Sequence, residues 1–215
     1  MPKSSTSFAF DHTSPTALAW AKSEAARLLS TIADREQVRS IIARAFSEQM
    51  SPQAAASLIR NTVGLTAPQV KAMLNLRSIL TPSSPTYAGD GALVYAGNTK
   101  IRIPEDGLDD DMIEQRVEEY SDRLLNQRAR MIARTELLDA ASEAQDQVWK
   151  QAAKEGYLNK NARRVWVTAE DDRVDLLICE PLDGVEVGLT EDFPGGYRHP
   201  PSHPRCRCAV TLKIT

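Results

Sequence analysis

The sequence predicts a predominantly helical α+β protein, in which an N-terminal helical bundle precedes a long central helix packed on a small C-terminal β-sheet. Three observations predict it. Helix-capping sequences recur along the first eighty residues, the stretch between Pro104 and Pro181 contains no proline, and short strand-like runs alternate with turn sequences after Gly156. Proline ends a helix because it lacks the N–H and clashes with the preceding turn, so a long proline-free segment with helical periodicity reads as one continuous element.

Four caps open four helices in residues 14–80. Ser14-Pro15 and Ser51-Pro52 each place a hydroxyl acceptor at the N-cap and a proline at the first helical position, where its missing N–H costs nothing. Asp34-x-x-Gln37 and Thr66-x-x-Gln69 have capping-box spacing, in which two side chains satisfy each other's orphan backbone donors. The apolar residues behind these caps fall at helical spacing: Leu18, Ala21, Ala25, Leu28 and Leu29; Val38, Ile41, Ile42 and Phe46; Val70, Met73, Leu74 and Leu76. Such stripes face a core.

Pro82 to Gly91 has linker composition. Beyond it, Ala92–Tyr95 and Thr99–Ile103 flank Ala96-Gly97-Asn98, a hairpin pattern with Gly97 and Asn98 expected at positive φ. An isolated hairpin is marginally stable and must lean on a neighbour. From about Asp109 to Glu155 the pattern is that of one very long helix or two nearly collinear ones. Its start is acidic, as the positive end of the macrodipole favours, and Gly156 suits its end. Ile113, Val117, Tyr120, Leu124, Met131, Thr135, Leu138 and Val148 mark its apolar face. Arg164–Thr168 and Ala209–Ile214 read as strands, separated by turns at Leu182-Asp-Gly184 and Phe193-Pro-Gly-Gly196. The segments are therefore 1–82, a helical region; 83–107, a linker and β-hairpin insertion; and 108–215, the α+β domain.

Composition narrows the function classes. A chain of 215 residues with 42% apolar residues can bury a core without disulfide support. The formal net charge of −3 gives no global attraction to nucleic acid, so a DNA contact requires a local basic stripe. Arg116, Arg123, Arg130 and Arg134, at separations of seven and four, lie near one helical face and could meet phosphates or an acidic partner. Against that, Glu119 sits four residues before Arg123, and a solvated or internally paired face is the preferred reading. No apolar run has signal-peptide or transmembrane length, which places the chain in the cytosol until assembly and gives it no membrane partner.

The densest chemical constellation is His199-Pro-Pro-Ser-His203-Pro-Arg-Cys206-Arg-Cys208, with Cys179 upstream. Residues i and i+2 of a strand face the same way, so Cys206 and Cys208 project together, and a disulfide between them would be strained. Two readings stay open. Cys179, His203, Cys206 and Cys208 supply the thiolate and imidazole donors of a tetrahedral zinc site. Alternatively the thiols are small buried hydrophobes and the prolines hold His203 out as a hydrogen-bonding wedge. The cofactor is accordingly none, or zinc. Arg134-Thr135-Glu136 with Trp166, Asp171 and Asp172 could belong to a catalytic site, but the sequence contains no Gly-x-Ser-x-Gly, phosphate-cradling glycine loop or His-Glu-x-x-His. We therefore expect no catalytic residues; these side chains are expected to tie the helix to the strands.

The ordered set Gln127-Arg-Ala-Arg-Met-Ile-Ala-Arg-Thr-Glu136, Trp166-Val-Thr168, Asp172-Arg-Val174, Cys179-x-Pro-Leu-Asp183-Gly184 and Pro200-Pro-Ser-His203-Pro-Arg-Cys206-Arg-Cys208 resembles the C-terminal domain of Mu F-like phage minor head proteins. Gly64–Gln69 with Leu74–Arg77, preceded by a segment like Met50–Arg60, resembles the helical region such proteins carry. The resemblance covers about residues 17–80 and 109–212. It implies a structural signature of Arg134, Thr135, Glu136, Trp166, Asp172, Asp183, Gly184, His203, Cys206 and Cys208. It further implies a non-enzymatic minor capsid protein of head morphogenesis, resident in the virion head interior or at the portal vertex. The implied partners are the portal protein, the major capsid or scaffold protein and double-stranded DNA, with a link to genome packaging or delivery. Relatives carry a second cysteine shortly before the position of Cys179, where this chain reads Val174-Asp-Leu-Leu-Ile-Cys179, and residues 83–103 look like an insertion. Two rival readings are a transferase or toxin-like enzyme on a head-protein scaffold, and a zinc-stabilised DNA-binding module. Convergence of Arg134, Glu136, Asp172 and His203 on an open cleft would favour the enzyme; steeply salt-dependent DNA binding would favour the module.

Overall fold

Ser51 and Thr66 open helices in the way their spacing dictates. The computed structural model describes residues 35–159 and 161–214. In it, α1 spans Arg35–Ser47, α2 Pro52–Arg60 and α3 Ala67–Leu80. The Ser51 hydroxyl accepts from the Ala54 N–H at 3.1 Å. At Thr66 the capping box is complete: Thr66 Oγ1 accepts from Gln69 N–H, and Gln69 Oε1 accepts from Thr66 N–H at 2.9 Å. The caps expected at Ser14 and Asp34, and the stripe from Leu18 to Leu29, lie outside the described residues.

The described residues divide into two compact units, one of residues 35–62 with the described residues from 130 to 214, the other of residues 63–129. The central helix is single: α4 spans Asp110–Lys154, 45 residues. The Asp109 carboxylate accepts from Met112 N–H at 2.7 Å at its start, and Gly156 follows its end at φ +80°.

In the 63–129 unit, β1 (Leu93–Ala96) and β2 (Thr99–Arg102) form an antiparallel hairpin in which Val94 pairs with Ile101. Val94, Ala96, Ile101 and Ile103 point to a core completed by Leu76 and Leu80 of α3 and by Leu108, Ile113, Val117 and Tyr120. The hairpin thereby finds the neighbours it requires. Two details differ from the sequence reading. Only Gly97 of the two-residue loop has positive φ, at +58°, as a type II′ turn requires; Asn98 does not. In α3 the buried residues are Leu76 and Leu80, while Val70 and Leu74 are 37% and 54% exposed. The core-facing stripe lies one turn further along because α3 meets the hairpin with its C-terminal half.

In the other unit, α1 and α2 pack together. Phe46 and Ala43 of α1 lie against Ala140 and Ala144 of α4, whose small side chains at i and i+4 form a flat seat on one helical face. The sheet has the order β4-β3-β5, all antiparallel, with β3 (Arg163–Val167) central, β4 Glu186–Gly188 and β5 Ala209–Lys213. The strand β4 is absent from the sequence reading: three residues are too few to display period-two alternation. A one-turn 3-10 helix, Glu180–Leu182, lies before it.

Candidate functional site

Alternation along β3 aims Arg164 and Trp166 inward, where they are 1% and 0% exposed. Each organises a separate centre.

Arg164 meets a row of acids on α4. Glu136, Asp139, Glu143 and Asp146, at separations of three, four and three, share one helical face and are all buried. This corrects the apolar face read from sequence for this half of the helix, where Met131, Leu138 and Val148 are only partly buried. Arg164 Nη1 donates to Asp146 Oδ1 at 2.9 Å and to the Arg198 carbonyl at 2.8 Å. Its remaining donors serve the carbonyls of Gly188 and Glu191, and its guanidinium lies 5.4 Å from the centre of the Phe193 ring. Asp146 Oδ2 accepts from Arg198 Nε at 2.9 Å and lies 2.7 Å from Lys150 Nζ. One carboxylate thus anchors the helix to β3 and to the loop that precedes His199. Without these cations its desolvation would be prohibitive.

A second pair lies one turn back. His199 Nδ1 stands 2.9 Å from the Pro200 carbonyl and Nε2 stands 2.9 Å from Glu143 Oε2. The Pro200 carbonyl can only accept, so Nδ1 donates to it, and Nε2 is turned to the carboxyl group of Glu143. Asp139 lies 3.6 Å from Nδ1, and Gln147 donates to Glu143 Oε1 at 2.6 Å. Burial pushes the Glu143 carboxyl up, but hydrogen bonds from His199 and Gln147 and the charge of Arg198 outweigh it and hold the group at about 2, below its ordinary 4.5. A depressed carboxyl contributes stability that is complete above the unfolded value of 4.5 and is lost as pH falls through about 2. We expect the protein to lose on the order of 3 kcal/mol across that window from this group. In Glu143→Gln that component should vanish from the pH dependence of chemical denaturation; an unchanged acid limb would show that Glu143 is not responsible.

Trp166 organises the thiol centre. Its indole packs edge-on against Phe193, with centroids 5.1 Å apart, in a cluster with Cys179, Leu182, Val187, Cys206, Cys208 and Val210. The three cysteine sulfurs all lie within 4.8 Å of one another, and Cys179 and Cys206 Sγ are 3.9 Å apart. His203 Nε2 is 3.1 Å from Cys179 Sγ. Its Nδ1 is 2.8 Å from the Pro204 carbonyl, which can only accept, so Nδ1 donates to it and Nε2 is the nitrogen turned to the sulfur. Burial pushes the Cys179 and Cys208 thiols upward.

Local backbone explains the convergence. Asp175 caps the turn into Cys179 by accepting from the Leu177 and Ile178 N–H groups. Arg205 adopts φ +69°, a left-handed conformation costing a non-glycine residue about 1 kcal/mol, and the Cys206 N–H reaches the His203 carbonyl. The Arg205 N–H donates to Thr135 Oγ1 of α4 at 3.2 Å.

The other sequence-derived candidates are placed separately. Asp183 accepts from Thr168 N–H at 2.8 Å, and Gly184, at φ +71°, donates its N–H to the Trp166 carbonyl, so this pair pins a turn to the end of β3. Arg134 and Asp172 are exposed, Glu136 is fully buried and His203 is partly buried: they do not converge on one cleft. Asp171 pairs with Arg207, which together with the Arg173 backbone N–H holds its carboxyl below the usual range. Arg116, Arg123 and Arg130 are exposed; Arg116 lies 3.7 Å from Glu119, which the sequence had paired with Arg123. Sequence reasoning missed Arg164, Asp139, Glu143, Asp146 and Arg198, whose only signal was the three-four-three spacing of the acids on α4.

Charged groups turned inward and paired, beside a thiol cluster under a short sheet, define an α+β protein whose polar machinery holds elements together. Residues 105–211 match the family described as phage Mu protein F like protein, and through this region the chain belongs to that family of phage head-morphogenesis proteins. The resemblance over residues 17–80 lies outside the match. No curated protein and no solved structure matches the chain significantly.

Proposed function

We propose that the chain is a non-enzymatic minor head protein that binds the portal vertex and the procapsid interior of a tailed phage. The observation that carries this reading is the internal use of its titratable groups. Asp146 is taken by Arg164, Arg198 and Lys150, and Glu143 by His199 and Gln147, which leaves these groups committed to cohesion rather than to a substrate. Family membership supports the head assignment. Among the described residues no helix is long and apolar enough to cross a membrane.

The portal protein is the first partner in this reading, with the major capsid or scaffold protein and double-stranded DNA as further ones. Exposed Arg116, Arg123 and Arg130 are the groups to meet phosphates or an acidic protein face. Co-expression with the portal protein of the same phage tests it. The chain should co-purify with portal rings through size exclusion and be visible on them by electron microscopy. Portal rings that emerge bare, with the chain recovered separately, would refute portal binding.

A further inference from the structure

We propose that Cys179, His203, Cys206 and Cys208 hold one zinc ion in a tetrahedral site that ties the turn before the 3-10 helix to the loop before β5. This inference does not rest on portal binding.

The donor geometry carries it. A tetrahedral zinc with bonds of about 2.3 Å to sulfur and about 2.0 Å to nitrogen places its sulfurs about 3.8 Å apart and sulfur and nitrogen about 3.5 Å apart. Cys179 and Cys206 stand at 3.9 Å, Cys208 lies within 4.8 Å of both, and His203 Nε2 stands 3.1 Å from Cys179. Zinc takes neutral imidazole through a lone pair, and the Nδ1–H bond to the Pro204 carbonyl fixes the ring in that tautomer.

Burial disfavours free thiolates here, and hydrogen-bond donors stand beside the sulfurs that a bound metal would keep deprotonated. Trp166 Nε1 is buried without a hydrogen-bond partner, in the same cluster as Cys208. A fully buried donor left unsatisfied is costly, and a thiolate sulfur held by a metal is the acceptor it lacks. The Ser202 hydroxyl lies 3.3 Å from Cys179 Sγ and 3.7 Å from Cys206 Sγ, placed to donate to either. Zinc binding displaces the three thiol protons to solvent and leaves a site of net charge −1. Arg173, Arg205 and Arg207 line the same small pocket together with Asp175, and Arg173 and Arg207 also pair with Asp171, so the lining carries an excess of the positive charge that such a centre favours.

The test is metal analysis of the intact chain, purified without chelator. One zinc per chain is expected, together with three free thiols after denaturation in chelator. Cobalt titration of the chelator-treated protein should give the intense visible bands and thiolate charge-transfer absorption of a four-coordinate ion. Cys206→Ser should abolish stoichiometric zinc. His203→Ala should change the cobalt spectrum, and Trp166→Phe should keep the stoichiometry while weakening zinc binding about 10-fold. The proposal is overturned by an intact chain without metal whose cobalt spectrum is weak and octahedral, or by fewer than three thiols, which would mean a disulfide. A His203→Ala spectrum identical to that of the parent would equally refute the four-donor site. Because the titration reads the unmutated chain, misfolding of a cysteine variant leaves the test intact.

Discussion

Asp146→Ala is expected to destabilise the protein by about 3–5 kcal/mol, because removal of one partner leaves a charge buried without compensation. The stranded charge is the Arg164 guanidinium, 1% exposed, which keeps its carbonyl partners but loses its carboxylate partner. Arg198 and Lys150, which are more exposed, can turn to water; Arg164 cannot. Urea denaturation followed by circular dichroism measures the effect, and a melting-temperature drop of roughly 10 °C should accompany it. The double variant Asp146→Leu with Arg164→Met should recover much of the loss, since an apolar pair of similar volume avoids desolvating two charges. A single-variant loss below about 1 kcal/mol would place the pair in the class of solvated surface bridges and remove the anchor between α4 and β3.

Trp166→Ala is expected to cost about 3–5 kcal/mol by a different route, the loss of buried apolar contact and the cavity left behind. Trp166 is fully buried at the centre of the sheet, edge-on to Phe193 and tilted 55° to Tyr197 with centroids 6.4 Å apart. Trp166→Phe should cost clearly less, because an aromatic ring remains to meet Phe193. The two variants together separate packing from the indole N–H. Equal losses would assign the whole effect to the N–H, and an alanine variant that melts like the parent would mean that the cluster is not the core of this unit.

Only one of these two sites was visible in the sequence. Trp166 stood in a strand-like run and in an ordered family signature, so its importance could be read before its surroundings were known. Asp146 could not be read in the same way: an acid on a long helix is ordinarily solvated, and its partners come from β3 and from the loop around Arg198. The same contrast divides the signature. Asp183-Gly184 was legible as a turn because a glycine at positive φ is a local requirement. The exposure of Arg134 and Asp172, and the pairing of Asp171 with Arg207, depend on segments distant in the chain and had no local signal.

What the sequence by itself determined was local. The caps at Ser51 and Thr66 and the hairpin turn at Gly97 are decided by hydrogen bonds and sterics within a few residues, whereas the sequence left one long helix or two collinear ones open where the structure has the single helix Asp110–Lys154. The tertiary structure decided which charges are buried and which donors converge. His199 reaches Glu143 across 56 positions, and Cys179 reaches Cys206 across 27. Burial of a charge or assembly of a thiol cluster depends on groups delivered from elsewhere in the chain, and no local pattern records their arrival.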